Sequence, residues 1–187
     1  MHSVWKTSIR FTLVTTLLLG LGYPLLITGI AGVLFPRQAA GSLIKLSDGT
    51  IIGSELIAQS FTNDRYFHPR PSANNYDAQN SGGSNLAQSS KALVTRIQAD
   101  IDKLAAQNRG KPVPIDLVTA SASGLDPDIT PDAAKFQAPR VAKARNMSEE
   151  SILKLIEQHT TKRQLGLLGE PRVNVLEINY YLYNLAK

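Results

Sequence analysis

Apolar residues run unbroken near one end of this chain and recur at intervals over the rest. From Phe11 to Phe35 there are 25 residues without a charge, FTLVTTLLLGLGYPLLITGIAGVLF. A helix needs about 20 mostly apolar residues to cross roughly 30 Å of hydrocarbon. The run therefore predicts a transmembrane helix over 11–35, with spare length for tilt. Lys6 and Arg10 close it on one side and Pro36-Arg37 on the other. It is longer than the 7–15 apolar residues of a signal peptide, and its exit lacks a small-x-small site, since Gln38 or Arg37 would stand at the third position back from a cut after Ala40 or Ala39. A retained anchor is expected. Within the run, Thr12, Thr16, Gly20, Pro24, Thr28 and Gly32 fall four residues apart. Each step advances a helix by 400°, so this stripe drifts by only about 40° per step. Small residues let a neighbouring helix approach closely, which makes these six the candidate helix interface. Pro24 removes the bond to Gly20 and predicts a kink.

Beyond the span the periods shorten. Leu43–Leu46 and Thr50–Ile52 flank Ser47-Asp48-Gly49 and predict a small hairpin within Gly41–Ile52. Ser54 is placed to cap a turn or two of helix in the following ELIAQSF. Arg65–Asn85 (RYFHPRPSANNYDAQNSGGSN) has too many Pro, Gly and Asn for a long regular element, yet Tyr66, Phe67 and Tyr76 give it something to bury, so an ordered functional loop is expected. Leu86, Leu93, Val94, Ile97, Ile101 and Leu104 predict a helix over Leu86–Gln107, capped by Asn85 and stopped by Asn108-Arg109-Gly110. Val113–Thr119 is a strand candidate. Thr130-Pro131 starts a short helix that Pro139 is expected to interrupt, with Arg140–Arg145 as a further turn or two. Ser148 caps another helix, with Met147 able to staple onto Ile152, and Ile152, Leu155, Ile156 and His159 on its inner side. Asn174 and Glu177 have capping-box spacing ahead of a closing helix with Val175, Ile178, Leu182 and Leu185 inward. The expected fold class is α+β (mixed α/β), with a small sheet and several helices behind one N-terminal transmembrane helix.

Charge changes the picture only in part. The formal net charge is +5, and taking away Lys6 and Arg10 leaves +3 for the rest, with acids and bases interspersed. That is a solvated surface and not a nucleic-acid footprint. Lys6, Arg10 and the α-amine slightly outweigh Arg37 and Lys45, which favours a short cytoplasmic N-terminus over 1–10 and a soluble domain over 36–187 outside the cytoplasm. The chain has no cysteine, which excludes disulfides and thiolate metal sites.

Candidate chemistry is sparse, and no residue is assigned a catalytic role. Of the histidines His2, His68 and His159, only the last two lie in the domain, and a dyad between them would need the fold to unite them. No HExxH or GxSxG is present. Ser81-Gly82-Gly83-Ser84-Asn85 lacks a following GK[ST], and Gly110-Lys111 runs into Pro112, so nucleotide binding has little support. Asp126, Asp128 and Asp132 are close enough in sequence for a cation-attracting patch, though turn and cap roles compete and no calcium-loop pattern or metal site is expected.

Several ordered stretches carry a resemblance. They are Tyr66-Phe67-His68-Pro69-Arg70-Pro71-Ser72, Ser81-Gly82-Gly83-Ser84-Asn85-Leu86, the run DLVTASASGLDP from Asp116 to Pro127, Pro139-Arg140-Val141-Ala142, and LGEPRVNVL from Leu168 to Leu176. In this order behind one span, they make the chain resemble the C subunits of Kdp-type potassium-transporting ATPases. Ala87-Gln88, where members often have Gly-Pro, and Asp128, where many have His, depart from the pattern. The resemblance implies an accessory, non-catalytic subunit of a bacterial inner-membrane pump for high-affinity potassium uptake. Its implied partners are a potassium-channel-like subunit, a P-type ATPase subunit and a small single-span subunit, besides the lipid bilayer. ATP and potassium are handled by that complex, with no cofactor assigned to this chain, although the family is described as a catalytic chaperone that raises ATP affinity. The alternative is a membrane-anchored extracytoplasmic binding module or hydrolase.

Overall fold

A computed structural model describes residues 2–46, 48–108 and 110–185. Ser47 and Arg109, expected in a turn and a helix stop, lie outside the described residues. The chain forms two units, Met1–Leu43 and Ile44–Lys187.

The first unit is helical. Helix α1 (His2–Thr15) passes into a π-helical segment (Thr16–Gly22) and then α2 (Tyr23–Leu34), followed by a single turn, α3 (Pro36–Ala39). Ser3–Leu34 is 32 residues, long and apolar enough to cross a membrane. Phe35 leaves the helix at φ −133°, because the ring of Pro36 disfavours helical backbone in the residue before it. Around Pro24 the feature is a widened turn: Tyr23 N–H bonds Leu18 O, five residues back. A proline has no amide to continue the four-residue ladder, and a π turn is one way to absorb the defect.

In the second unit, β1 (Leu43–Lys45) and β2 (Ile51–Ser54) form the expected hairpin. Thr50 N–H bonds Asp48 Oδ1 at 2.9 Å, the Asx contact that tightens such a turn. Ser54 does not start a helix. Its Oγ and its carbonyl accept Leu56 N–H and Ile57 N–H, which closes one turn only. A three-stranded antiparallel sheet of order β3-β5-β4 is made by β3 (Asp128–Ile129), β4 (Thr160–Thr161) and β5 (Arg172–Asn174). Ile129 and Thr160 both pair with Val173, which is fully buried.

The remaining helices are α4 (Lys91–Gln107), α5 (Pro131–Arg145), α6 (Glu149–Gln158) and α7 (Val175–Asn184). Three N-caps follow the local chemistry expected of them. Thr130, Ser148 and Asn174 side chains accept Ala133, Ser151 and Glu177 N–H. Three more expectations fail along residues 86–145. The helix at 86–107 begins at Lys91 with Ser90 as N-cap, because Asn85 sits at φ 51° and Ala87–Ser90 close a turn of their own. Val113–Thr119 is not a strand. Pro112 and Pro114 offer no amides to a ladder, and Ile115–Leu117 forms a 3-10 turn whose buried Asp116 accepts Thr130 N–H at 2.8 Å. Pro139 does not break α5. Buried Ala133, Ala134 and Ala138 before it and Val141 and Ala142 after it hold one continuous helix, and this packing outweighs a local cost of about 3 kcal/mol.

The core gathers Phe67, Ile129, Val141, Ile152, Ile156, Val173, Ile178 and Leu182 between α5, α6, α7 and the sheet. Met147 packs against it, while Leu185, expected to face inward, is exposed. Helix α4 has no buried residue, although its apolar periodicity matches that of α7. Ile178→Ala should therefore cost about 2–5 kcal/mol. Val94→Ala on α4, where Val94 is 59% exposed, should stay within about 0.5 kcal/mol. Denaturant unfolding of the two variants measures both.

Candidate functional site

Arg65–Asn85 is an ordered strap, held first through its main chain. Pro69 keeps His68 out of helical backbone, so the strap runs extended there and its amides and carbonyls need outside partners. Two side-chain amides supply them. Asn179 on α7 accepts Phe67 N–H at 2.8 Å and donates to Phe67 O at 2.9 Å. Gln137 on α5 does the same for His68, at 2.8 and 3.0 Å. Both amides are nearly fully buried. Arg140 extends the grip, donating to Gln137 Oε1 and to Asp64 O, and Arg145 donates to Arg65 O while its guanidinium lies 4.9 Å over the Tyr66 ring. With its backbone paired at both ends, Phe67 is fully buried.

The second half of the strap folds on itself and on the loop 119–127. Tyr76 OH donates to Arg70 O at 2.8 Å, and Ser72 Oγ accepts Tyr76 N–H at 2.9 Å. Gly82 N–H and Ser81 Oγ–H both reach Ser123 O. At Gly124 (φ 69°) a Cβ would collide with the Asn74 side chain and Gly82 O, and at Gly83 it would come within 3.0 Å of Ala122 O. These two glycines permit a close approach of two backbones. Arg70 completes the contact through Asp126 at 2.8 Å.

A cavity of ≈ 420 Å³ opens beside the strap, with Asp64, His68, Tyr76, Asp100, Lys103 and Arg140 in its lining. Its acids and bases balance, and two acids are already engaged: Asp64 lies 3.6 Å from Arg140 and Asp100 lies 2.8 Å from Arg96. Burial, and next the charge of Arg140, hold the His68 imidazole below its ordinary value of 6.5, and its Nε2 lies 3.2 Å from Asn63 O. His159 has other neighbours: its Nδ1 is 3.0 Å from Leu155 O and its ring tilts against Tyr181 at 5.0 Å. The two rings share no hydrogen-bond partner, and His159 serves as the C-cap of α6.

Asp126, Asp128 and Asp132 each face a cation of the chain itself. Asp126 pairs with Arg70, Asp128 with Arg172 at 2.9 Å, and exposed Asp132 approaches Lys135 at 4.0 Å. Burial, chiefly, pushes the Asp128 carboxyl up despite Arg172. Among the described residues no group of three or more His, Cys, Asp or Glu could hold a metal ion. In the span, Thr12 lies on α1, Thr16 and Gly20 in the π segment, and Pro24, Thr28 and Gly32 on α2, all exposed. An i→i−5 turn uses more residues per revolution, so a four-residue step falls short of a full turn there. The π segment thus opposes the drift of the stripe.

The family described as KdpC: K+-transporting ATPase, c chain, matches residues 5–184. The chain belongs to this family. The potassium-transporting ATPase KdpC subunit of Bradyrhizobium diazoefficiens is 56% identical, over 95% of this chain and 94% of that protein. Those of Methylobacterium nodulans (55%, covering 91% and 92%) and Acidobacterium capsulatum (56%, covering 95% and 96%) are similarly related.

In KdpC terms, the stretches that carried the resemblance meet in space. The Tyr66–Ser72 and Ser81–Asn85 stretches pack on the Asp116–Pro127 stretch, and the first of them is clamped by α5 and α7 at Phe67 and His68. The clamps themselves, Gln137 and Asn179, went unnoticed in the sequence. A signal existed: each is a polar residue on an otherwise apolar helix face, Gln137 among Ala133, Ala134 and Val141 and Asn179 among Val175, Leu176 and Leu182. Asn179→Leu keeps the volume but leaves Phe67 N–H and O without partners. It should destabilise the chain by about 1–3 kcal/mol per orphaned group. Denaturant unfolding and loss of hydrogen-exchange protection at the Phe67 amide are the measurements.

Proposed function

We propose that this chain is the single-span accessory subunit of a bacterial inner-membrane complex that uses ATP to drive potassium uptake. The match to the KdpC family along nearly the whole chain carries this reading. The long apolar helix supports it, as does a strap whose polar groups are largely committed to internal hydrogen bonds. The partners are the potassium-channel-like subunit, the P-type ATPase subunit and the small single-span subunit. The span packs on their helices through the stripe Thr12–Gly32, which the π segment keeps near one face. Residues 1–10 lie in the cytoplasm, 11–35 cross, and 36–187 sit outside, on the face of the potassium-conducting subunit near the ion entrance. On that side there is no ATP to bind, so any effect on ATP affinity is relayed through the assembly.

A tagged chain should co-purify with the larger subunits in mild detergent. Gly20→Leu with Gly32→Leu should lower that recovery more than Leu19→Ala with Leu26→Ala. Equal recovery removes the stripe from the interface. Recovery of the wild-type chain alone and fully active favours an anchored module or hydrolase. Sidedness has its own test, because the chain has no native cysteine. A single Gln98→Cys should react with a membrane-impermeant maleimide applied outside intact spheroplasts. Reaction only after lysis puts the domain in the cytoplasm.

A further inference from the structure

The turn between β4 and β5 is built unlike the rest of the surface. It carries Leu165, Leu167 and Leu168, which are 91%, 79% and 60% exposed. The turn is also well ordered: Gln164 and Leu168 exchange both backbone hydrogen bonds, at 2.8 and 2.9 Å, and Leu167 N–H bonds Gln164 O. An Arg163–Glu170 pair at 2.6 Å closes its base. Leu165 (φ 52°) and Gly166 (φ 73°) are both left-handed, as the two central positions of a I′-type turn closed by Leu167 N–H on Gln164 O demand. Asn, Asp or Gly fill such positions at low cost, whereas Leu is strained there. Leu165 thus costs stability through its backbone and returns almost none by burial. Folding alone gives no reason for it, and a local rule broken without an internal gain points to an external contact.

We propose that this leucine tip dips into the headgroup and upper acyl layer of the bilayer that holds the span. Two observations select lipid as the occupant. The first is reach. Only Phe35–Ser42 separate the end of α2 from β1. At a maximum of about 3.3–3.6 Å per residue, that linker keeps the domain beside the bilayer. A tethered contact needs no second molecule to arrive, so a small apolar tip suffices where a free protein would need a larger one. The second is charge. Lys162, Arg163 and Arg172 stand at the shoulders of the tip; Arg163 pairs with Glu170 and Arg172 with Asp128, which leaves Lys162 as the net positive charge. A leucine tip on a net basic shoulder suits acyl chains beneath anionic headgroups. The proposal requires the span to lie in a bilayer and does not require the complex.

The cysteine-free chain allows a direct reading. Leu167→Cys in the full chain is labelled with an environment-sensitive nitrobenzoxadiazole dye and placed in nanodiscs of phosphatidylcholine and phosphatidylglycerol. Gln98→Cys, exposed on α4, serves as control. The expected result is several-fold stronger quenching at 167 than at 98 by a lipid carrying doxyl high on its acyl chain, with protection from aqueous iodide. This should hold for the chain alone and in the assembled complex. Adding Leu165→Asn should abolish the quenching while leaving the melting temperature unchanged or raised. Three results overturn the proposal. One is iodide access at 167 in both preparations. Another is protection that arises only on assembly, which assigns the tip to a groove on a companion subunit. The third is loss of quenching together with a lowered melting temperature, which marks Leu165 as a structural residue. Failure of the subunit assignment would show as absent co-purification and would leave the reading on the isolated chain intact.

Discussion

Phe67 can be fully buried only because one side chain, Asn179, satisfies both its backbone donor and its backbone acceptor. A buried peptide group without partners costs about 1–3 kcal/mol for each unmet bond, enough to cancel what an aromatic ring gains by leaving water. The amide of Asn179 imitates a neighbouring strand for one residue, and Gln137 repeats this on the next. With these clamps the strap can cross α5 and α7 without a sheet to join. Arg140 and Arg145 then bind the carbonyls just before it, and the glycine-lined contact with the loop 119–127 follows from where the strap leaves the clamps. Helices, strap and loop form one hydrogen-bonded body around the core.

In the membrane helix the governing constraint is different. With no water in hydrocarbon, a proline cannot leave its orphaned carbonyl unattended at no cost. The widened turn over Thr16–Gly22 spreads the defect along the helix. It also alters the helical phase in the middle of the small-residue stripe, so a repeat of four stays near one face for longer than an unbroken α-helix allows. Proline, glycine and threonine act together here, although each is unremarkable in a membrane helix.

Legibility in the sequence tracked the range of the interaction involved. The span could be read because a charge-free run of 25 residues is itself the physical requirement. The hairpin at Asp48 and the caps at Thr130, Ser148 and Asn174 could be read because donor and acceptor lie within three residues. The order of the strap was legible from its aromatics, but its clamps were not, since Phe67 and Asn179 stand 112 residues apart. Pro139 misled for the same reason: the alanines that keep α5 continuous through it act by packing on other elements. Val113–Thr119 was a strand candidate by its letters, while the prolines and the buried Asp116 decided for a turn. The leucine tip had no signature beyond apolar letters in a loop, and only exposure and backbone angle set it apart.

The separation between Phe67 and Asn179 also orders events in time. The ribosome delivers the strap long before it delivers α7, the last helix of the described chain. Until then the Phe67 peptide group must stay hydrated and the ring cannot settle, however completely the hairpin and α4 have formed. The nascent domain therefore remains open through most of its synthesis and closes in a late step. A nascent chain stalled before α7 should retain local helices yet expose its core to chaperones and proteases.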